Sequence, residues 1–459
     1  MPRTPPQPNH SLQSLLIQAG WTQDEFAGRI NRLSNEAGAQ LGLDRRSVSH
    51  WLVAGRRPRP PIPELAAEAL SRALGRTVTV QETGLAGRRG PVRAGEREGE
   101  DVVGMLRLLG GVESDRRGAA VFTLGALRYA TWPADTSRPA RPLGEPGPGV
   151  TRLDEGAVAG AELMVKVFSD ADTAYGGGHV RAALSSILAH DIAPRLAAPG
   201  PAKLSARMLK AATQLVYLCA FTCFDDRQEA TAERYYLTAM DLAQHSADVG
   251  AYAITLRAMS VQAHSLGHPR DALHLAEAAE SAGYRTLPAA SRAFLCGQLA
   301  VACAADGDRH GATSALIAAE RHLSRATSAS DAPMPGARGE STGRYHPASL
   351  AHQEAEMRIL LGDRTGAIKA LSASLYRRPD TERRSRALTT ARLAELHLDA
   401  GHLDQAAEVW YRFLADYPHL SSGRADAALR RLVSRVRPFA AHPIARDLLS
   451  RAAEVRKAA

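Results

Sequence analysis

Aromatic side chains and cysteines are scarce in this sequence. Phe, Trp and Tyr together make up 5% of the 459 residues, and there are only four cysteines. The faces of β-sheets normally need aromatic and β-branched side chains, whereas an alanine-rich chain favours helices. Four cysteines do not form a disulfide framework in a chain of this length, and no apolar segment opens it. We therefore expect an all-α protein of the reducing cytoplasm.

The sequence also lacks the motifs of common enzymes and metal sites. It contains neither HExxH nor GxSxG. The glycine-rich segment 176–178 is followed by neither Lys nor Ser or Thr in the phosphate-loop pattern. The cysteines lie in two pairs without the close spacing of zinc ligands, so burial as small residues is favoured over a redox or metal site: Cys219 with Cys223, and Cys296 with Cys303. We expect no enzymatic activity, no cofactor and no metal.

The positive charge is concentrated at the two ends of the chain. The net charge is +9 overall, of which residues 1–90 carry +5 and residues 421–459 carry +6. This distribution indicates an anionic partner that contacts the ends, although a solvated basic surface would give the same count.

Composition divides the chain into five segments. Proline and glycine clusters separate the helical patterns, and the longest apolar stretch of the linker, Gly118 to Ala130, is too short to span a membrane. The predicted organisation is a disordered N-terminus at 1–10, a helical head at 11–85, a linker with a short apolar helix at 86–154, a repeat array at 155–420 with an insertion at 324–347, and basic capping helices at 421–459.

A repeated pattern of glycine and small residues occupies the array. Four glycines share the same surroundings, an alanine five residues later and a serine or alanine seven residues earlier: Gly267, Gly307, Gly362 and Gly401. Small residues let two helices cross closely and glycine permits a tight turn, so each unit predicts a helical hairpin. Gly178 and Asp225 mark two earlier, more divergent units. About six hairpins are therefore expected.

This pattern resembles the tetratricopeptide repeat (TPR) over about residues 160–418. The resemblance implies an α-solenoid with a groove that binds a peptide, small-molecule or protein effector and rarely performs chemistry. Positions three, six and ten residues before each turn project onto the inner surface. The groove candidates at these positions are Asp172, Tyr175, Arg257, His264, His352, Glu356 and Glu395. A solvated concave wall is an equal alternative for these residues.

The head contains the start signals of short helices. Thr22 and Glu25 have the spacing of a capping box, in which each side chain accepts a hydrogen bond from the backbone of the other. Asp44 is placed to cap a further helix that runs from Arg45 to about Val53. The helix boundaries between Thr22 and Gly42 stay open.

The segments Thr22–Ala27 and Leu41–Trp51 resemble the lambda-repressor-like (XRE) helix-turn-helix family. In that family the helix after the turn enters the major groove. The resemblance implies base contacts by Arg45, Arg46 and His50. It implies phosphate contacts by Ser47, Ser49, Arg56 and Arg57. The run Arg45–Arg59 holds five arginines and no acidic residue, which favours nucleic acid over a protein partner.

Head and array together resemble the actinobacterial regulators that control development or antibiotic production. The resemblance implies a transcriptional regulator that binds double-stranded DNA as a homodimer, with dimerisation and effector control supplied by the array. We expect this protein in the cytoplasm, associated with the nucleoid and not with a membrane. The alternative is a TPR protein-interaction adaptor whose basic head does not bind DNA.

Overall fold

The computed structural model describes residues 8–36, 41–59, 61–74, 78–85, 101–114, 140–146, 152–283, 287–328 and 345–458. Within these ranges the protein is all-α and contains no β-strand. A small domain of short helices is followed by an α-solenoid of helical hairpins, and the all-α class agrees with the prediction from composition.

The head consists of four short helices around one core. They are α1 (His10–Ala19), α2 (Gln23–Glu36), α3 (Arg45–Val53) and α4 (Ile62–Leu74). The predicted capping box is confirmed, because the Thr22 N–H donates to Glu25 Oε2 at 2.8 Å and the Glu25 N–H donates to Thr22 Oγ1 at 3.3 Å. The core is formed by one face of each helix and includes Leu12, Leu16, Phe26, Ile30, Val48, Trp51, Leu65 and Leu70.

The solenoid begins after a further helix and continues to the end of the described chain. The linker contributes α5 (Val102–Ser114). The helices that follow are α6 (Glu155–Tyr175), α7 (Gly177–Ile187), α8 (Ala193–Leu196), α9 (Ala202–Asp225), α10 (Glu229–His245), α11 (Val249–Ser265), α12 (Pro269–Gly283), α13 (Ala289–Asp306), α14 (Arg309–Ser328), α15 (Pro347–Leu360), α16 (Arg364–Arg377), α17 (Arg383–Asp399), α18 (Leu403–Asp416), α19 (Gly423–Val436) and α20 (Pro443–Ala458). The stretch Leu188–Ile192 between α7 and α8 is a π-helix.

The small residues of the repeat lie where paired helices cross. The hairpins α11/α12, α13/α14, α15/α16 and α17/α18 turn at the four predicted glycines, which have φ between 81° and 92°. Only glycine adopts such a φ at little cost. The serine or alanine before each turn and the alanine after it are all essentially inaccessible to solvent: Ser260, Ala300, Ala355, Ala394, Ala272, Ala312, Ala367 and Ala406. The sequence pattern therefore located these four hairpins correctly.

The two divergent units are hairpins as well, but their turns are shifted from the predicted positions. The left-handed residue of α6/α7 is Gly176, and that of α9/α10 is Arg227. Gly178 lies inside the first turn of α7, and Asp225 is the last residue of α9. The spacing rule therefore misses the turn by two residues in each unit, in opposite directions along the chain.

Two pieces of the predicted linker pack on the solenoid. Val103, Leu106 and Leu109 of α5 are buried in the same core as α7 to α10. Residues 140–146 run alongside, and the Val103 N–H donates to the carbonyl oxygen of Leu143 at 3.1 Å. The predicted apolar helix at 118–130 lies outside the described residues. Of the predicted insertion, 324–328 continue α14, and 329–344 also lie outside the described residues.

Gly110 is a position where α5 approaches the solenoid closely. A Cβ at this position would lie 2.4 Å from the Cβ of Ala189. We expect Gly110→Ala to lower the free energy of unfolding by about 1–3 kcal/mol, because neither backbone can retreat without losing packing. Gly160→Ala is the matched control, since its Cβ would meet no atom within 4 Å. It should raise stability by up to about 1 kcal/mol through helix propensity. Equal denaturation midpoints for the two variants would show that α5 does not pack here.

The solenoid curves until its first and last units meet. The helix α6 packs against α17, and α17 packs against α19. The Ser421 N–H donates to the carbonyl oxygen of Tyr175 at 2.8 Å, and the Gly178 N–H donates to that of Ser421 at 2.9 Å. A Cβ on Gly176 would lie 2.6 Å from the Ser421 carbonyl oxygen. The glycine run 176–178 is therefore both a hairpin turn and the joint that closes the array.

All four cysteines are buried, and none of them forms a disulfide. Burial raises the pKa of Cys296 and of Cys303 to about 11, so neither is a thiolate at neutral pH. Among the described helices, none is both long and apolar enough to cross a membrane.

Candidate functional site

The first candidate site is the exposed face of α3. Asp44 caps this helix, since its Oδ1 accepts the Ser47 N–H at 2.9 Å and the Ser47 hydroxyl at 2.8 Å. Val48 and Trp51 on the opposite face are buried in the head core. The cap and the core together fix which side chains of α3 point outward.

Asn31 of α2 fixes the loop that leads into α3. Its Nδ2 donates to the Leu43 carbonyl oxygen at 2.8 Å, and its Oδ1 accepts the Leu43 N–H at 2.9 Å. Both backbone groups of one residue are thus bound to a single side chain. Sequence reasoning missed this contact, and the only signal was an amide side chain near the end of a helix.

The predicted base-reading residues share one exposed surface. Arg45, Arg46 and His50 are exposed on the first two turns of α3, and Arg56 and Arg57 are exposed just beyond its end. None of these arginines forms an ion pair with a described carboxylate, so their charges are available to an anionic partner. Ser47 and Ser49 are partly buried, and the Ser47 hydroxyl is held by the Asp44 cap.

The second candidate site is the inner face of the solenoid. Two of the groove candidates form one chain of ionic contacts with arginines of α17 and α19. Arg392 Nε donates to Glu356 Oε1 at 3.1 Å, and Arg392 Nη1 donates to Glu395 Oε2 at 3.3 Å. Arg431 Nε donates to Glu395 Oε1 at 2.8 Å. His264 lies within electrostatic range of Glu356 and Arg392, and burial lowers its pKa. The charges along this wall are balanced, so it resembles a structural surface more than a binding site.

Asp172 is a structural residue of the closure. It forms a hydrogen-bonded ion pair with Arg384 of α17, and both side chains are buried. Nearby, Asp225 accepts from Arg424 Nε at 2.9 Å and from the Gly177 N–H at 3.0 Å. Burial raises the pKa of Asp225, but the guanidinium groups of Arg424 and Arg384 outweigh it and leave the pKa below its usual range. Four charged groups from the two ends of the array thus neutralise one another.

Tyr175 differs from the other candidates because it is 45% exposed. Its ring lies 5.6 Å from that of His179, at the closing joint and not in the groove. The inner-surface rule placed it in the groove because the rule took Gly178 as the turn residue.

His352 is enclosed between α15 and α17. Its Nδ1 lies 3.1 Å from the Thr389 hydroxyl oxygen. Burial lowers the pKa of His352 to about 4, and the positive charges of Arg378, Arg392 and Arg424 act in the same direction against the opposing effect of Glu356.

This shift makes the stability of the array dependent on pH. The unfolded chain binds a proton at His352 below about pH 6.5 whereas the folded protein does so only near pH 4. The contribution of neutral His352 to the free energy of unfolding is therefore fully present above pH 6.5, and it is lost progressively as the pH decreases towards 4. Between pH 7 and 4.5 we expect the wild type to lose about 1–3 kcal/mol more than His352→Gln in urea titrations. Parallel profiles for the two proteins would contradict this assignment.

Arg257 occupies the remaining candidate position. Its guanidinium carbon lies 3.6 Å from the centroid of the Phe294 ring. It has no carboxylate partner among the described residues. A cavity of about 180 Å³, which Arg257 does not line, lies between α6, α9, α11 and the start of α13.

Comparison with known proteins gives limited similarity. Residues 12–86 match the family described as the SP15 N-terminal domain, which corresponds to the head alone. A crystal structure described as nearly identical TPR-like repeats, of a kinesin light chain from Podosopora anserina, is 15% identical with a TM-score of 0.31. That alignment covers 45% of this chain and 96% of the other. No curated protein matches the chain. These similarities support no conclusion about function.

Proposed function

We propose that this protein is a DNA-binding transcriptional regulator in which the head reads double-stranded DNA and the solenoid binds an effector and a second copy of the chain. The observation that carries the proposal is the exposed basic face of α3. Arg45, Arg46 and His50 point outward from a helix whose opposite face is held by Val48 and Trp51 in the core.

This arrangement meets the requirements of major-groove reading. A recognition helix must present its first turns to base edges, and arginine can bond both the O6 and N7 acceptors of guanine. Arg56 and Arg57 extend the same positive surface towards the phosphate backbone. The resemblance to XRE heads and to actinobacterial regulators of development or secondary metabolism supports the same proposal.

We infer that the protein binds DNA as a homodimer, because a single head is small. A single recognition helix contacts few base pairs, and useful specificity usually requires two half-sites. We assign dimerisation to the array as part of this proposal, and we expect the regulator at the nucleoid in the cytoplasm.

The experiment that tests the proposal is duplex binding by the full-length protein at increasing salt concentration. DNA fragments selected from the source genome serve as specific targets, and a scrambled duplex serves as the reference. We expect the logarithm of affinity to fall linearly with the logarithm of salt, because each neutralised phosphate releases counterions. No duplex binding at low salt would favour the rival function, a TPR adaptor whose head docks on protein.

A further inference from the structure

The cavity between α6, α9, α11 and the start of α13 has a volume of about 180 Å³. Part of its wall is apolar and is formed by Val165, Leu218, Ile254, Leu287 and Pro288. At ~30 Å³ for each molecule of liquid water, this volume corresponds to about six waters. The cavity is therefore large enough for a small metabolite, and it is smaller than the ~300–1,000 Å³ sites that hold drug-sized ligands.

Two side chains of opposite charge line the same cavity. Lys210 belongs to α9 and is exposed, so the cavity reaches the surface beside it. Asp248 precedes α11 and caps it, because its Oδ1 accepts the Ala251 N–H at 2.9 Å. Asp248 forms no ion pair with a cation among the described residues. Since a carboxylate accepts several hydrogen bonds, Asp248 can bind an ammonium group and still cap the helix.

The first turn of α13 borders the cavity with unused hydrogen-bonding groups. The residue before the helix is Pro288, whose side chain makes no capping hydrogen bond, so the first N–H groups of α13 have no side-chain acceptor. Ser291 lines the cavity and is only 4% exposed. Its hydroxyl forms no hydrogen bond within the part of the chain that the structure describes. A buried hydroxyl at the positive end of a helix favours an anionic group.

The cationic and anionic groups of a ligand would meet these two helix starts side by side. A Cβ on Gly250 would lie 3.2 Å from Asp248 Oδ1 and 3.0 Å from Leu287 Cδ2. The cap of α11 and the segment that leads into α13 are therefore neighbours. A ligand that contacts both must carry its ammonium and carboxylate groups close together, which is the arrangement of an α-amino acid.

We propose that this cavity binds a free α-amino acid with an apolar side chain. Its ammonium group binds Asp248, and its carboxylate binds the Ser291 hydroxyl and the N–H groups of the first turn of α13. Its side chain packs between Val165, Leu218 and Ile254.

This amino acid is the effector of the proposed function, so the inference rests on the array being a ligand-binding unit. It does not depend on DNA binding by the head. Amino-acid binding without duplex binding would overturn only the regulator proposal, and duplex binding without amino-acid binding would overturn only this one.

The test is calorimetric titration of the full-length protein with L-leucine, L-isoleucine, L-valine and L-phenylalanine. Each is compared with its primary amide, which lacks the carboxylate, and with its des-amino acid, which lacks the ammonium group. We expect at least one amino acid to bind about tenfold or more tightly than both analogues, since a hydrogen bond to a charged group contributes that much. If none of the four binds more tightly than both analogues, the proposal is wrong. An apolar hexapeptide that binds while the free amino acids do not would also overturn it.

The variant Asp248→Asn removes the charge and keeps the cap, because asparagine caps helices as well as aspartate. It should lose the preference for the amino acid over the des-amino acid, while the affinity for the des-amino acid stays unchanged. Asp308→Asn is the matched control. Asp308 Oδ1 accepts the Gly311 N–H at 2.9 Å at the start of α14, and this residue does not line the cavity. The control should bind like the wild type, and an Asp248→Asn protein that keeps the full preference would contradict the assignment.

The variant Ser291→Ala tests the carboxylate position separately. The hydroxyl has no partner among the described residues, so its removal should leave the melting temperature of the unliganded protein unchanged or higher. The affinity for the amino acid should fall severalfold, because a hydrogen bond to the carboxylate is lost. A lower melting temperature with unchanged affinity would show that the hydroxyl is structural and would overturn the proposal. This variant decides the question even if Asp248→Asn does not fold.

Discussion

Replacing Arg384 with methionine should lower the free energy of unfolding by about 3–5 kcal/mol. The side chain joins the two ends of the array: it pairs with Asp172 of α6, and its Nε lies 3.9 Å from Asp225 Oδ1 of α9. Its guanidinium carbon also lies 4.7 Å from the Phe221 ring centroid. Methionine would fill part of the volume but would leave the Asp172 carboxylate buried without the guanidinium to which it is hydrogen-bonded.

The control for this change is Arg412→Met. Arg412 Nη2 lies 2.7 Å from Glu408 Oε1, but each side chain is 68% exposed. Exposed pairs contribute little, so this variant should remain within about 1 kcal/mol of the wild type. Adding Asp172→Asn to Arg384→Met should recover part of the lost stability, because it removes the orphaned charge.

Solution scattering gives a second measure of the closure. If Asp172 and Arg384 hold the ends together, the radius of gyration should increase in Arg384→Met and stay unchanged in Arg412→Met. Equal stability and equal dimensions for the two single variants would show that the ends of the array do not depend on this pair.

Replacing Arg45 and Arg46 together with alanine should weaken specific duplex binding by about tenfold to several hundredfold, since a base-contacting arginine contributes about 1–3 kcal/mol. Both side chains are exposed on the first turn of α3 and neither packs in the core. The fold of the head should therefore survive, and circular dichroism and the thermal transition should match the wild type.

The matched control removes the same charge elsewhere. Arg364 and Arg377 are exposed at the two ends of α16, so Arg364→Ala/Arg377→Ala changes the net charge equally without touching the head. Fluorescence anisotropy with a selected duplex at several salt concentrations distinguishes the two variants. The α3 variant should also bind scrambled and selected duplexes with similar affinity, whereas the control should keep the preference. Equal losses in both variants would mean that net charge, and not α3, accounts for binding.

Local features were predictable from the sequence because they depend on neighbouring residues. The Asp44 cap involves the backbone three residues later, and the capping box of Thr22 spans the same distance. The buried alanines around Gly267 follow from the geometry of one tight hairpin. These contacts form wherever the local pattern occurs, so position along the chain is enough to place them.

The packing of the linker helix α5 could not be predicted in this way. The leucines and valines of α5 can pack against any apolar surface. Their spacing in the sequence does not indicate which surface of the protein they contact. The contact of Gly110 with Ala189 depends on the π-helical stretch after α7, which repeats no sequence signal of the other hairpins. Sequence reasoning placed an apolar helix at 118–130 and overlooked the one at 102–114.

The sequence by itself determined the helical class, the hairpin repeat and the outward basic face of α3, because each arises from contacts within a few residues or within one hairpin. Only the tertiary structure decided which charged residues of the inner face are paired. Asp172 and Arg384 are separated by 212 residues and meet because small rotations between successive hairpins add up to a closed curve. That same curvature brings Arg424 to Asp225, from which it is separated by 199 residues in the sequence.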